Sequence, residues 1–260
     1  MKQIFKTILL TALMLVMSGC TAEHTEVPAA EESTPVPAET AAPEAAEKKE
    51  EVREEEKPAK LLYIGHASLC IVTPEDKVIY IDPFAPGDYS RAADLVLVTH
   101  DHYDHTATDL IENKADDYTL ITQKEALRAG EHQSFDFGYV NVKAVEAGNN
   151  PNHDITKCVG YVLTLRSGIR IYVSGDTSTV SGMADLKNDA IDYAFFCCDG
   201  VYNMDAAEAG ECAKLVNAKH SIPYRVIPPE GVYFSREKAE AFESDTRMIL
   251  EPGEEIELES

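Results

Sequence analysis

The sequence predicts β-sheet layers covered by helices, an α/β or mixed α+β sandwich, and three observations lead there. Short β-rich apolar runs recur from residue 61 onward. They open as a hairpin-like group and then alternate with helix-like segments, the pattern of sheets with helices packed over them. Apolar residues make up 44% of the chain, enough for a substantial core.

Taken in order, residues 1–20 have a basic start at Lys2 and Lys6 and an apolar stretch over 8–17, the layout of an export signal. The closing Met17-Ser18-Gly19-Cys20 resembles a bacterial lipobox, with Met17 where Leu is usual. Cys20 is therefore the expected lipidation site, and two acyl chains on it suffice for stable anchoring. The alternative is an ordinary cleaved signal with an incidental cysteine. Residues 21–59 are rich in Ala, Glu, Pro and Thr and too poor in large aliphatics to offset ordering entropy. They read as an acidic tether reaching on the order of 35 Å. The globular part spans 60–260. Its expected strands are 61–64, 69–73, 78–81, 95–99, 140–145, 159–165, 169–173, 191–197 and 222–227. Expected helices are 109–114, 124–129 and 205–217, the last opening with a capping-box pair, Asp205 and Glu208. Residues 237–243 read as a solvated helix face and the acidic tail, 251–260, as an edge strand.

Charge narrows the partners. The formal net charge is −23, and 34 of the 46 acidic residues against 16 of the 23 basic ones lie from residue 61 onward. Nucleic-acid binding needs the opposite surplus and is excluded. No apolar run reaches the roughly 18 residues of a membrane span. The membrane contact expected is the lipid anchor alone, placing the domain outside the cytoplasm on a bacterial cell membrane. Cys70, Cys158, Cys197, Cys198 and Cys212 form no C-x-x-C pair and sit in apolar surroundings, so they read as buried thiols.

The chemistry concentrates after the apolar run Leu95-Val96-Leu97-Val98-Thr99. There His100-Asp101-His102-Tyr103-Asp104-His105 packs three histidines and two aspartates into six residues. Residues two apart in an extended segment face the same way, so His100 and His102 can grip one cation. Asp104 and His105 enter the following turn and point to a neighbouring position. Imidazole and carboxylate ligands without thiolate suit zinc, manganese or iron in an open catalytic site.

This run matches the H-x-H-x-D-H signature, and the chain resembles the metallo-β-lactamase superfamily over the whole domain. Tyr63-Ile64-Gly65-His66, Ile81-Asp82-Pro83-Phe84 and Ile171-Tyr172-Val173-Ser174-Gly175-Asp176-Thr177 resemble its L-ascorbate-6-phosphate lactonase-like branch. The resemblance implies a four-layer αββα sandwich holding one or two divalent ions, zinc first and manganese second. It implies a hydrolase whose metal lowers the pKa of a bound water, acting on a small lactone, ester or phosphoester. It further implies His100, His102 and His153 as ligands of one ion, and Asp104 and His105 as ligands of the other. Asp176 bridges them, and Asp104 or Asp176 handles the proton. Asp82 orients a ligating histidine, and His66 either faces the cleft or is structural. Asp199 and Tyr202 read either as substrate contacts or as part of a polar-capped Gly turn.

One position departs from the family pattern. Ile222-Pro223-Tyr224-Arg225 places Arg where related sequences have a ligating His, and a guanidinium has no lone pair to donate. His220 has the wrong strand parity to substitute. Three outcomes follow: a one-metal enzyme with a weak second site, Arg225 standing in for a cation or holding an anionic substrate, or lost catalysis. In the last case the domain is a surface binding module. Substrate and oligomeric state are left open.

Overall fold

Period-two alternation in the early runs sorts their side chains onto two faces, and the structure uses both. The computed structural model describes residues 57–227 and 233–260. The expected signal, Cys20 and nearly all of the tether lie outside them. In chain order the strands are β1 (Ala59–Gly65), β2 (Ser68–Val72), β3 (Val78–Ile81), β4 (Ala93–Leu97), β5 (Lys114–Ile121), β6 (Leu127–Arg128) and β7 (Glu131–His132). They continue with β8 (Ser134–Asp136), β9 (Val140–Glu146), β10 (Val159–Leu165), β11 (Arg170–Val173), β12 (Tyr193–Cys197), β13 (His220–Tyr224) and β14 (Glu254–Leu258). The first six-stranded sheet runs β14-β1-β2-β3-β4-β5 and the second β13-β12-β11-β10-β9-β8, while β6 and β7 form a small hairpin.

Leu61, Tyr63, Leu69, Ile71, Ile79, Ile81, Leu95 and Leu97 face the second sheet and form the central core with Val142, Tyr161, Leu163, Ile171 and Phe195. Their neighbours Leu62, Ile64, Cys70, Tyr80 and Val96 point to the opposite face. That outer face is covered by Ala85, Tyr89 and Ile111 from loops, so its outer layer is coil and 3-10 turn. The second sheet is covered by α2 (Ala206–Val216), which follows the one-turn α1 (Gln123–Ala126) and precedes α3 (Arg236–Ala241). In α2, Ala209, Cys212, Ala213 and Val216 are buried at helical spacing. Asp205 caps it through the Glu208 N–H, and Asn217 ends it in the left-handed region. The Glu208 carboxylate accepts from Thr179 rather than from the cap residue, so the box is half formed.

Two expected helices are corrected. Residues 109–114 hold the end of a 3-10 turn, Thr108–Leu110, and the first residue of β5, because Ile111 is drawn under the first sheet. Residues 124–129 shorten to α1, since Leu127 and Arg128 pair with His132 and Glu131. All five cysteines in the described residues are free and buried, as expected. Among the described residues no helix is long and apolar enough to cross a membrane.

The topology places the site. The pairs β3–β4, β4–β5, β11–β12 and β12–β13 are parallel. The carboxyl ends of parallel strands are where open sheets present ligand-binding loops. His66, Asp82, His100, Asp176, Asp199 and Arg225 all follow strand ends along this edge. The sheets are tied together there by Val159 N–H to Thr99 O at 3.0 Å and Tyr161 OH to Val98 O at 2.9 Å.

Candidate metal centre

His100, His102 and His153 each bring a ring nitrogen within 4.8 Å of the others'. Strand β4 ends two residues before Thr99, so His100 points inward from the first coil positions and is buried, while His102 is exposed on the cleft. Their tautomers follow from neighbours. The Thr99 hydroxyl donates to Asp82 Oδ2 at 2.7 Å, so at 3.1 Å from His100 Nδ1 it can only accept. Nδ1 therefore carries the proton, and Nε2 turns its lone pair inward. Burial, helped by the charge on His105, pushes the His100 pKa down to about 2 and keeps the ring neutral. Asn150 Oδ1 accepts the backbone N–H groups of Asn152 and His153, both at 2.9 Å, and lies 3.1 Å from His153 Nδ1. That orientation places a proton on His153 Nδ1 as well.

Asp176 follows Gly175, whose φ of +63° and close approach to Val159 O exclude a side chain. The carboxylate is fully buried. Its Oδ2 lies 2.9 Å from Arg225 Nε, 2.9 Å from Asn203 Nδ2 and 3.3 Å from His153 Nε2. This last contact brings a ring nitrogen and a carboxylate oxygen face to face. Asp176 Oδ1 and His100 Nε2 are both buried without any hydrogen-bond partner. His100 groups within 4.8 Å with His102 and His153 and also with His105 and Asp176, so buried acceptors without partners lie among the ligand types a divalent ion satisfies, and the residues here fit one such ion.

On the other side, His66, Asp104 and His105 also approach within 4.8 Å. His105 is fully buried, with Nδ1 2.9 Å from Asp82 Oδ2 and Nε2 3.5 Å from Asp176 Oδ2. Burial opposes its charge, but Asp176 and Asp82 outweigh burial and raise its pKa to about 10. Asp82 thus contacts both a cluster histidine and Thr99. His66 lies 3.4 Å from Asp104 Oδ2, and burial chiefly lowers its pKa. Arg225 fills the remaining space. Its Nη2 is 2.7 Å from Asp104 Oδ2, and its Nη1 is 3.0 Å from Asp199 Oδ2. Its Nε lies 2.9 Å from Asp176 Oδ2 as an ion pair, while the Nε–H is directed at His105 Nε2, 3.5 Å away. Burial alone would raise the carboxyl pKa of Asp104 and Asp176. Asp104 is held well below the usual range by its His66 contact first and then by the His105 and Arg225 charges, and Asp176 by the Arg225 and His105 charges.

Asp199 takes the turn-capping role. Its Oδ1 accepts the backbone N–H groups of Val201, Tyr202 and Asn203, and its Oδ2 is held by Asn203 and Arg225, so neither oxygen is free for a substrate. Tyr202 stands exposed on the rim. His220 is stacked on Tyr193, away from the centre. His66, Asp82 and Arg225 all have left-handed backbones, with φ of 54°, 45° and 52°, a clustering of strain typical of functional sites. The centre floors a cleft of about 1020 Å³ whose wall includes Phe84, Tyr103, Tyr202 and Tyr233. Sequence reasoning missed Thr99, Asn150 and Asn203. Thr99 directly precedes the cluster, and Asn150 opens an Asx-like Asn-Pro-Asn-His turn, so both carried a local signal.

The fold and this site define a class. The Beta-lactamase superfamily domain pattern matches residues 60–225, and the chain belongs to the metallo-β-lactamase superfamily. The family it falls in is one of metal-dependent hydrolases. A UPF0173 metal-dependent hydrolase of Pyrococcus furiosus is 29% identical, covering 76% of this chain and 99% of its own length. Its counterpart in Thermococcus kodakarensis is also 29% identical, over the same shares. Among solved structures, the metallo hydrolase Igni18 of Ignicoccus hospitalis superposes with a TM-score of 0.61 at 21% identity, covering 78% of this chain and all of its own, a likeness of fold.

Proposed function

We propose that this chain hydrolyses a small lactone, ester or phosphoester, with a divalent ion, zinc before manganese, held by His100, His102, His153 and Asp176. The observation that carries the reading is the pair of orphaned acceptors, His100 Nε2 and Asp176 Oδ1, buried beside the imidazoles of His102 and His153. Bound there, the ion supplies Lewis acidity, bringing the pKa of a water toward neutrality and polarising the scissile oxygen. The chain's own groups do the rest. Asp104, kept ionised, accepts a hydrogen bond that orients the attacking water. Asp176 holds the histidine frame through His105 and His153, and Asp82 and Thr99 fix the rings behind it. The aromatic wall suits an apolar portion of the substrate. The three branch-like motifs favour the lactonase-like branch and rank lactones first. The reading includes an extracytoplasmic location, with residues 21–59 tethering the domain to a lipidated Cys20.

The test is a panel of lactones, carboxylic esters and phosphoesters assayed on chelator-treated protein with zinc or manganese returned. His102 is exposed, so His102→Ala leaves the packing intact. Turnover that needs the added ion and falls at least 100-fold in that variant is expected. Metal-dependent heat stability with no turnover on any class would sink the hydrolase reading and favour a binding module, which the Arg225 substitution otherwise supports.

A further inference from the structure

The ligand types beside the histidine trio look sufficient for a second ion. His66, Asp104 and His105 converge, and Asp176 is within reach. An ion shared by these groups would sit about 2 Å from their nitrogen and oxygen atoms. The Arg225 guanidinium fills that space. Nη2 lies against Asp104 at 2.7 Å, Nε against Asp176 at 2.9 Å, and Nη1 against Asp199 at 3.0 Å. A guanidinium stays charged at every working pH and offers no lone pair, so it excludes a cation by volume and repels it by charge.

We propose that the Arg225 guanidinium permanently occupies the second cation position, so that the centre takes a single divalent ion at the His100, His102 and His153 side. This rests on reading that trio and Asp176 as the holder of an ion.

The surroundings are built for a guanidinium. Nη2 and Nη1 each donate to a carboxylate of their own, Asp104 and Asp199, Nε lies 2.9 Å from a third, Asp176, and Arg225 is 3% exposed. Asp199 is presented by a turn whose three N–H groups all bind its other oxygen, which fixes the acceptor before Arg225 arrives. The Arg225 backbone is held in the left-handed region by its N–H bond to His66 O at 2.9 Å, which turns the chain away from the line of β13. Charge agrees as well. The guanidinium and one divalent ion carry three positive charges against the three carboxylates of Asp104, Asp176 and Asp199, while Asp82 faces His105. A second divalent ion would leave an unmatched excess in a buried site. Loading therefore follows a single-site isotherm, and no chelator can remove the second positive centre.

The experiment is a titration of chelator-treated full-length protein with Mn(II), read by elemental analysis and electron paramagnetic resonance. The wild type is expected to saturate at one ion per chain with the spectrum of an isolated Mn(II). Arg225→His supplies a lone pair and clears the N–H bonds. It should saturate near two, with the spectrum of a coupled pair, provided circular dichroism matches the wild type. Two ions in the wild type overturn the proposal, and that result needs no variant. A folded Arg225→His that stops at one ion also overturns it. An absence of any bound ion overturns both this proposal and the assignment of the trio, whereas one ion per chain without turnover defeats only the hydrolase reading.

Discussion

At position 99 a hydroxyl decides which nitrogen of His100 carries a proton. Its single hydrogen goes to Asp82, so it meets His100 as an acceptor and leaves Nε2 free to coordinate. Thr99→Val keeps the shape and removes this constraint. Metal affinity should fall about 10- to 100-fold, the usual effect of losing an orienting partner of a ligand, with the fold retained. Competition with a chromogenic chelator measures it, and an unchanged affinity would leave the tautomer argument without force. At this scale the sequence was highly legible for candidate ligands. His100, His102, Asp104 and His105 announce themselves by density, and His153 and Asp176 came from the family resemblance. Partners such as Thr99, Asn150 and Asn203 were hidden because a polar side chain's role depends on where it points, which its neighbours in space determine.

Among the elements, the turn after β11 controls the site most directly. Gly175 has a φ of +63°, and a methyl group there would lie 2.7 Å from Val159 O, a backbone atom that cannot yield without disturbing β10. Gly175→Ala should lower stability by about 1–3 kcal/mol, the scale of a non-glycine residue in a strained backbone region, and should also weaken metal binding because Asp176 is adjacent. Urea unfolding followed by metal titration separates the two effects, and a variant with wild-type stability would remove this glycine's structural role. Buried strands such as β3 and β10 were readable to the residue, since dense apolar runs have one way to be satisfied. Strand β5 was missed because it is a sheet edge carrying Asp116 and Asp117, and half-exposed strands need no apolar alternation. The helix expected over 109–114 failed for a related reason. Burying Ile111 against Val96 and Tyr80 outweighs the local helical preference.

For the whole molecule, the net charge of −23 makes an acidic protein, and the proposed anchor at Cys20 is what would hold it at a surface. Metabolic labelling with a fatty acid should tag the wild-type chain and lose the tag in Cys20→Ala. Equal labelling of the two would remove the anchor and the location that depends on it. The cleft belongs to this scale too. Its floor is assembled from the ends of six strands in two sheets, residues 66 to 225 in the chain, and no shorter piece contains it.

The sequence alone determined the class of fold, the central strands and the first candidate metal-ligand cluster, because these depend on local periodicity and on ligand residue types close together in the chain. It also identified Arg225 as anomalous without deciding among the consequences. Only the tertiary structure decided that Arg225 lies between Asp104, Asp176 and Asp199, carboxylates as far as 121 residues away. Hydrogen bonding reaches only about 3 Å and Coulomb energy weakens with distance, so the meaning of a buried charge is set by which opposite charges the fold brings against it.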